Sequence, residues 1–256
     1  MKKKHISFSE MKNWTHCPFY HKLVYFDGID GFTGNIYTAF GSAIHETCEK
    51  VVLKEVNQKQ AAEYFCDQFI KEAASLKEDV DEDFFEKMMP QGVLLADLAI
   101  PALKKQFGNF ELIGVEERLY EPIEGLDYSF KGFIDLIIKT PDGKYHIIDW
   151  KTCSWGWDSR KKSDPMVIYQ LVLYKNYFAK KHNIDPKDIE AHFALLKRTA
   201  KKNNVEFVRI TTGSKRTKNS LDMLHKAVYN IKNRNFVKNK LNCQKCEFYR
   251  TPHCPR

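Results

Sequence analysis

The chain has 256 residues, of which 43% are hydrophobic and 29% are charged, and its formal net charge is +8. This balance suits one sizeable domain with a buried core and excludes disordered and fibrous proteins. Its apolar runs are broken by charge well short of the ~20 residues of a membrane span, and the residues after the basic N-terminus are too polar for a secretory signal. We therefore expect a soluble, cytoplasmic protein with no membrane partner.

The predicted elements begin with helices. Ser7 and Glu10 have the spacing of a capping box, which indicates a helix start, and apolar residues recur at helical spacing further along. The predicted helices cover residues 9–25, 36–55, about 58–76 and about 84–107.

Strands follow, because the next segments are rich in β-branched and aromatic residues. We predict strands at 111–120, 128–139, 144–152, 190–197 and 205–211, and helices at 166–181 and 220–234. This order predicts an α/β fold with a mixed sheet. We expect one domain, residues 1–256, with a helical part over about 9–107, a sheet core over about 108–212 and a basic, cysteine-rich part over about 213–256.

Positive charge is concentrated at the C-terminal end. Residues 197–256 contain 16 Lys and Arg against 3 Asp and Glu, a net charge of +13, whereas residues 1–196 carry −5. Such asymmetry indicates a polyanion partner, of which nucleic acid is the most common, or else a merely solvated basic face.

The predicted hairpin at residues 128–152 carries two aspartates and a lysine. A tight turn at Pro141 and Asp142 would place Asp135 opposite Asp149, and Lys151 lies on the same face as Asp149. Two adjacent carboxylates on an apolar hairpin favour a bound cation, and Mg²⁺ or Mn²⁺ suits oxygen ligands that handle phosphates. Lys151 would then contact a substrate phosphate or orient a water. The alternative is an edge hairpin whose charges pair in solvent.

Two helices carry further polar candidates. His45 lies one helical turn after Gly41 and is a possible metal ligand, although a lone helical histidine is more often structural. Gln170 and Tyr174 share one face of an otherwise apolar helix, which suggests a functional role. A partly exposed helix shoulder is the alternative and, on this pattern alone, the more frequent case.

The segment between the hairpin and that helix mixes indoles with cations. Aromatic rings interleaved with basic groups suit single-stranded DNA, because unstacked bases can pack on the rings while the cations contact phosphates. Packing of the tryptophans against the protein is the alternative. The candidate residues are Trp155, Trp157, Arg160, Lys161 and Lys162.

Three of the seven cysteines lie in the last fourteen residues, which favours metal ligation over a disulfide framework. Cys243 and Cys246 have the spacing of two thiolates on one centre, Cys254 can be a third, and the fourth must come from elsewhere. Four thiolates can hold either a [4Fe-4S] cluster or zinc.

Several of these motifs occur together, in one order, in a known family. GSAIH (41–45), KGFID (131–135), DWK (149–151), YQLVLY (169–174) and the cysteine-rich end resemble the motifs of RecB-like nucleases of the PD-(D/E)XK superfamily. The cysteines resemble its iron-sulfur branch, which includes the AddB nuclease domain and CRISPR-associated exonucleases. The resemblance implies a restriction-endonuclease-like core, a mixed sheet flanked by helices, with a helical insertion and a cysteine-rich C-terminal staple.

The resemblance also implies residue roles. The metal would be held by His45, Asp135, Asp149 and the backbone carbonyl of Trp150. Lys151 would assist the nucleophilic water, while Gln170 and Tyr174 would position the DNA backbone. Cys17 would be the fourth cluster ligand, and Glu116 or Glu117 could be an accessory acid. In the basic segment, Lys215, Arg216 and Lys218 would contact phosphates.

The implied activity is metal-dependent hydrolysis of DNA, by an exonuclease acting on single strands or ends in recombination, repair or phage DNA processing. A helicase or recombination partner would fit that activity, as would a bacterial or bacteriophage source with action in the bacterial cytoplasm. The alternative function is a non-catalytic nucleic-acid-binding module with a structural zinc or iron-sulfur centre.

Overall fold

The secondary structure of the described chain follows the predicted order. The computed structural model describes residues 4–77 and 79–255. The strands are β1 (His5–Ser7), β2 (Glu111–Pro122), β3 (Ser129–Lys139), β4 (Tyr145–Cys153), β5 (Ile189–Lys197) and β6 (Val205–Ile210). The α-helices are α1 (Phe8–His16), α2 (Pro18–Tyr25), α3 (Ile36–Val52), α4 (Ala61–Ala74), α5 (Glu82–Phe107), α6 (Ser159–Ser163), α7 (Pro165–His182) and α8 (Ser214–Lys232). No described helix is long and apolar enough to cross a membrane.

The first predicted helix is two helices, and the break has a physical cause. Cys17 has extended backbone, with φ −161° and ψ 114°, and caps both α1 and α2. A residue that precedes proline is disfavoured in the helical region, and Pro18 is the first residue of α2. The predicted cap is present, because Ser7 Oγ accepts a hydrogen bond from the backbone N–H of Glu10 at 3.1 Å. The chain turns at Cys17, whose backbone N–H still donates to the carbonyl of Asn13 and whose carbonyl accepts from the N–H of His21.

Contacts within the chain define two compact units. The first unit comprises the described residues within Met1–Thr33, Arg118–Gly132 and Gly213–Arg256, and the second comprises those within Gly34–Glu117 and Phe133–Thr212. Both units are therefore discontinuous in sequence. A single nuclease domain with three consecutive parts stays a prediction.

The sheet of the second unit is mixed, as the sequence predicts. Strand β4 pairs with β3 in antiparallel and with β5 in parallel orientation, and β5 pairs with β6 in antiparallel orientation. Strand β2 also pairs with β3. In the first unit, β1 lies parallel to the start of β3, with His5 opposite Ser129. The fold class is confirmed.

Helices cover the two faces of this sheet because the strand residues are apolar on both. Even-numbered side chains of the central strands, such as Ile148 and Trp150, join a buried cluster with residues of α3, α4 and α5. On the other face, the rings of Tyr145 and Phe178 of α7 lie 6.1 Å apart. The hairpin therefore sits between two helical layers, and its side chains are not those of a solvated edge.

Helix α5 packs on α4 so closely at Gly92 that no side chain fits there. A Cβ at this position would lie 1.9 Å from Cζ of Phe65. The ring of Phe65 is fully buried and stacks on Phe69 with centroids 5.5 Å apart, so it has no room to move.

We expect Gly92→Ala to lower the free energy of unfolding by about 2 kcal/mol, because overpacking outweighs the gain in helix propensity. Gly41→Ala in α3 is the matched control. The nearest atom to its new Cβ is Thr152 Oγ1 at 3.6 Å, so this variant should be slightly stabilised. Urea denaturation of both variants measures the two effects, and equal shifts would contradict this packing.

Candidate active site

The two aspartates of the hairpin lie opposite each other. The observed register pairs Leu136 with Ile148, and the next pair of positions is Asp135 and Asp149. Asp149 is 1% exposed, and its Oδ1 atom is buried without a hydrogen-bond donor among the described residues. Asp135 Oδ2 accepts a hydrogen bond from the backbone N–H of Trp150 at 2.8 Å. A buried, unsatisfied carboxylate oxygen beside a second carboxylate is a site that favours a cation.

Lys151 partly compensates this negative charge. Its Nζ lies 2.5 Å from Oδ2 of Asp149. Burial raises the pKa of Asp149 to about 6, against the lowering effect of Lys151, and the charge of Asp135 adds to the rise. Burial would lower the pKa of Lys151, but the two aspartates outweigh it and raise that pKa. The ammonium is therefore held charged beside the carboxylates.

His45 of α3 reaches the same carboxylates. Its Nδ1 lies 3.5 Å from Oδ2 of Asp135. The side chain is 31% exposed, yet desolvation of the ring and the charge of Lys151 lower the pKa of His45 to about 4, against a hydrogen bond with the Trp150 backbone. At neutral pH the imidazole is neutral, and a neutral imidazole can act as a metal ligand. The residues predicted to hold a metal thus lie together.

Two glutamates extend the site: Glu116, one of the two that the sequence left open, and Glu49, which sequence reasoning did not identify. Burial raises the pKa of Glu116 to about 7, and the charges of Asp135, Glu49 and Asp149 add to the rise. Glu116 has φ 48°, a left-handed conformation uncommon for a non-glycine residue, and such kinks redirect side chains from a strand. Glu49 lies one helical turn after His45, so the i, i+4 spacing was the available signal.

Glu117 belongs to a different environment. Its Oε1 lies 2.8 Å from Nζ of Lys181 and 2.6 Å from Nε2 of His182. Burial opposes ionisation, but these hydrogen bonds and charges outweigh it and lower the pKa of Glu117. Of the two glutamates left open by the sequence, Glu116 is the one whose charge interacts with the aspartates.

Gln170 and Tyr174 are paired on α7. Gln170 Nε2 donates a hydrogen bond to Tyr174 Oη at 3.3 Å. Burial raises the pKa of Tyr174 to about 12, and the nearby charges of Asp149 and Asp135 contribute to the rise. Tyr174 is therefore close enough to the carboxylates to feel their charge, and its hydroxyl stays protonated.

The tryptophan loop has one exposed and one buried indole. Trp155 is 77% exposed, whereas Trp157 is 9% exposed and packs on Phe193 with ring centroids 4.9 Å apart. Lys161 Nζ lies 4.8 Å from the Trp157 ring, and Lys162 Nζ lies 2.7 Å from Glu206 Oε1. Trp157 thus matches the packing alternative, and Trp155 presents its ring to solvent. Arg160 is exposed at the surface of α6.

The predicted cluster cysteines line one cavity of the first unit. Its volume is about 370 Å³, and Cys17, Cys243, Cys246 and Cys254 are among its lining residues. Desolvation raises the pKa of the Cys246 thiol, and the charges of Cys17 and Cys254 contribute. The backbone N–H of Asn239 donates to Cys17 Sγ at 3.4 Å. Residues more than 220 positions apart in sequence therefore meet here.

Helix α8 carries the candidate phosphate contacts of the basic segment. Lys215 is exposed near its start, and Lys218 Nζ lies 2.6 Å from Asp222 Oδ2 one turn along the helix. Arg216 is half-buried. An exposed i, i+4 ion pair contributes little, so Lys218 can release Asp222 for another anion.

Glu116→Gln and Glu117→Gln should change stability in opposite directions at pH 8 in the presence of chelator. Because folding raises the pKa of Glu116, its carboxyl group contributes stability below the unfolded pKa of about 4.5, and this contribution is lost as the pH rises through about 7. Glu116→Gln should therefore stabilise the protein at pH 8. The lowered pKa of Glu117 gives stability above that value, so its replacement should destabilise. After allowance for solvent screening we expect about 1 kcal/mol each. Thermal unfolding at pH 5 and pH 8 measures both, and shifts of one sign would contradict these environments.

Two solved structures align with most of this chain at low sequence identity. The crystal structure of a candidate exonuclease from Eubacterium rectale has a similar fold, with TM-score 0.59 and 14% identity over 97% of this chain and 88% of that chain. The crystal structure of SSO0001 aligns with 97% of this chain and 85% of that chain at 13% identity and TM-score 0.43. No curated protein sequence matches. A sequence model of the PD-(D/E)XK nuclease superfamily matches residues 5–252, and the chain belongs to that superfamily.

Proposed function

We propose that this chain is a metal-dependent deoxyribonuclease, an exonuclease that hydrolyses phosphodiesters in single-stranded DNA or at DNA ends. The observation that carries the proposal is the buried pair Asp135 and Asp149, with one oxygen of Asp149 unsatisfied and Lys151 beside it. A non-catalytic relative has no need to keep these charges buried, because their burial costs stability.

The residues fit Mg²⁺ or Mn²⁺. Oxygen atoms of Asp135 and Asp149, the neutral imidazole of His45 and the backbone carbonyl of Trp150 would hold the ion, and carboxylate and carbonyl oxygens are its preferred donors. When bound, the metal would activate water and neutralise the charge that develops on the phosphate.

The chain's own groups complete the reaction. The Lys151 ammonium orients the attacking water and offsets negative charge on the phosphate. Glu116, with a pKa of about 7, can accept or release a proton near neutral pH. Gln170 and Tyr174 hold the DNA backbone through neutral donors, since the Tyr174 hydroxyl keeps its proton.

Most of the proposed DNA contacts lie on exposed groups, and Arg216 is half-buried. Trp155 offers a ring for stacking on an unpaired base, and Arg160 and Lys161 follow it with positive charge. Lys215, Arg216 and Lys218 of the basic segment add phosphate contacts that should weaken with salt. A helicase or recombination protein that delivers DNA ends would be a natural partner of this activity.

We expect Asp149→Asn and Lys151→Met to reduce DNA hydrolysis by about 10³-fold or more, because each removes a group that acts in the transition state. Asp97→Asn, an exposed carboxylate on α5, is the matched control and should keep full activity. Release of nucleotides from end-labelled single-stranded, duplex and circular DNA, with Mg²⁺ or with chelator, measures the effect. Binding of the same DNA should persist in both site variants. Near-normal turnover in either would refute the catalytic assignment, and binding without hydrolysis by the parent would favour the non-catalytic alternative.

We also propose that Cys17, Cys243, Cys246 and Cys254 hold a [4Fe-4S] cluster. The four cysteines line one cavity, and four thiolates can hold either a cluster or zinc. The resemblance of the cysteine motif to the iron-sulfur branch favours the cluster. Either centre would join the two ends of the chain and contribute to folding.

Anaerobically purified protein should therefore be brown and contain iron and acid-labile sulfide. Cys17→Ser should lose the colour and the iron and lower the melting temperature. Cys66→Ser is the matched control, because Cys66 lies on α4 and is not one of the four proposed ligands. This variant should keep the colour, the iron and the melting temperature. Colourless protein with stoichiometric zinc would reject the cluster, and metal-free protein of normal stability would reject any metal at these cysteines.

A further inference from the structure

A second group of ligand-type side chains lies on the other face of the sheet from Asp149. His146 of β4 pairs with Glu190 of β5, and His192 follows two residues later on the same face. Side chains alternate along a strand, so His146 faces away from Asp149, three residues further on. This group, His146, Glu190 and His192, is therefore separate from the carboxylates of the proposed active site.

One atom of each side chain meets the other two at ligand spacing. His146 Nδ1 lies 3.2 Å from His192 Nε2 and 3.8 Å from Glu190 Oε2, and the last two atoms are 3.5 Å apart. Zinc bound tetrahedrally at 2.0–2.1 Å separates its nitrogen and oxygen ligands by roughly 3.4 Å. We propose that these three residues form a zinc-binding site, with the fourth position left for water.

The surroundings favour metal ligation. Thr140 Oγ1 lies 3.0 Å from His146 Nε2, and a proton donated from that nitrogen to the hydroxyl leaves a lone pair on Nδ1, the atom that contacts His192. Phe107 covers both imidazoles, with ring centroids 4.8 Å and 5.2 Å away. Burial lowers the pKa of His146 and lowers that of His192 to about 3, so both rings are neutral. Neutral imidazoles in an apolar shell are the form that binds zinc.

One carboxylate oxygen of Glu190 contacts the histidines, and the other contacts two basic side chains. Oε1 lies 2.9 Å from Arg209 Nη2 and 3.9 Å from Lys144 Nζ, while Oε2 faces the histidines. The Arg209 side chain is 68% exposed, so it can move aside as zinc arrives. Its positive charge nevertheless competes with the ion. The arrangement therefore predicts that Arg209 weakens zinc binding.

The site would join β4 to β5 near the starts of both strands. Zinc that binds only the folded chain stabilises it in proportion to its affinity and concentration. This effect is independent of DNA hydrolysis, because the ligands are not those of the proposed nuclease site.

Equilibrium dialysis against ⁶⁵Zn²⁺ tests the proposal on the full chain carrying Asp149→Asn, which weakens metal binding at the nuclease site. Adding Glu190→Gln should remove one bound zinc per chain or weaken its binding at least tenfold. His182→Gln, the control, replaces an exposed histidine outside the group and should leave zinc binding unchanged. Co²⁺ distinguishes the site from the cysteines, because thiolate ligation gives an intense near-ultraviolet charge-transfer band that nitrogen and oxygen ligands lack.

Arg209→Gln keeps all three ligands and changes an exposed residue, so it tests the site even if Glu190→Gln fails to fold. We expect it to tighten zinc binding by roughly fivefold to tenfold through loss of a nearby positive charge. Zinc at about 100 times its Kd should raise the melting temperature by about 5 °C in the parent. Unchanged stoichiometry and affinity in Glu190→Gln, or unchanged zinc affinity in Arg209→Gln, would overturn the proposal.

Discussion

The burial of two like charges on adjacent strands is the constraint on which the second unit depends. Asp135 and Asp149 sit opposite each other in a hairpin that is apolar on both faces, and Lys151 contributes a positive charge in contact with Asp149. A protein accepts such a cost where chemistry requires it, because buried carboxylates without full compensation destabilise the fold. The raised pKa of Asp149 and that of Glu116 are consequences of the same constraint.

The rest of the unit holds that hairpin in place. Parallel pairing with β5 places β4 in the middle of the sheet, and helices α3 to α5 pack on one face while α7 packs on the other. Helix α3 carries His45 to the carboxylates, and α7 carries Gln170 and Tyr174 to the same region. Strand β4 therefore contributes acid and lysine from one face and, at its start, His146 on the opposite face. One strand supplies two chemically different sites because its side chains alternate.

In the first unit, contacts join the N-terminal and C-terminal parts of the chain. Cys17 has extended backbone because Pro18 follows it, and Asn239 donates a backbone hydrogen bond to its sulfur. The side-chain amides of Asn239 and Asn242 bond the carbonyl of His16 at 2.9 Å and 2.6 Å. These contacts join the N-terminal and C-terminal parts of the chain at the cavity that the four cysteines line.

The sequence by itself determined the order of the elements and the mixed sheet, because hydrophobic periodicity is a local signal. It also determined that Asp135 lies opposite Asp149, because a tight turn sets the register of a hairpin. Strand alternation also placed Lys151 on the face of Asp149, and helical spacing singled out His45 after Gly41. Only the tertiary structure decided which of Glu116 and Glu117 interacts with the aspartates, since a left-handed residue in β2 reverses the alternation that sequence assumes. Only the tertiary structure shows that Trp157 is buried and that His146 lies beside Glu190 and His192. His146 is more than forty positions from the other two residues, and no local pattern encodes a parallel strand pairing across an intervening helix.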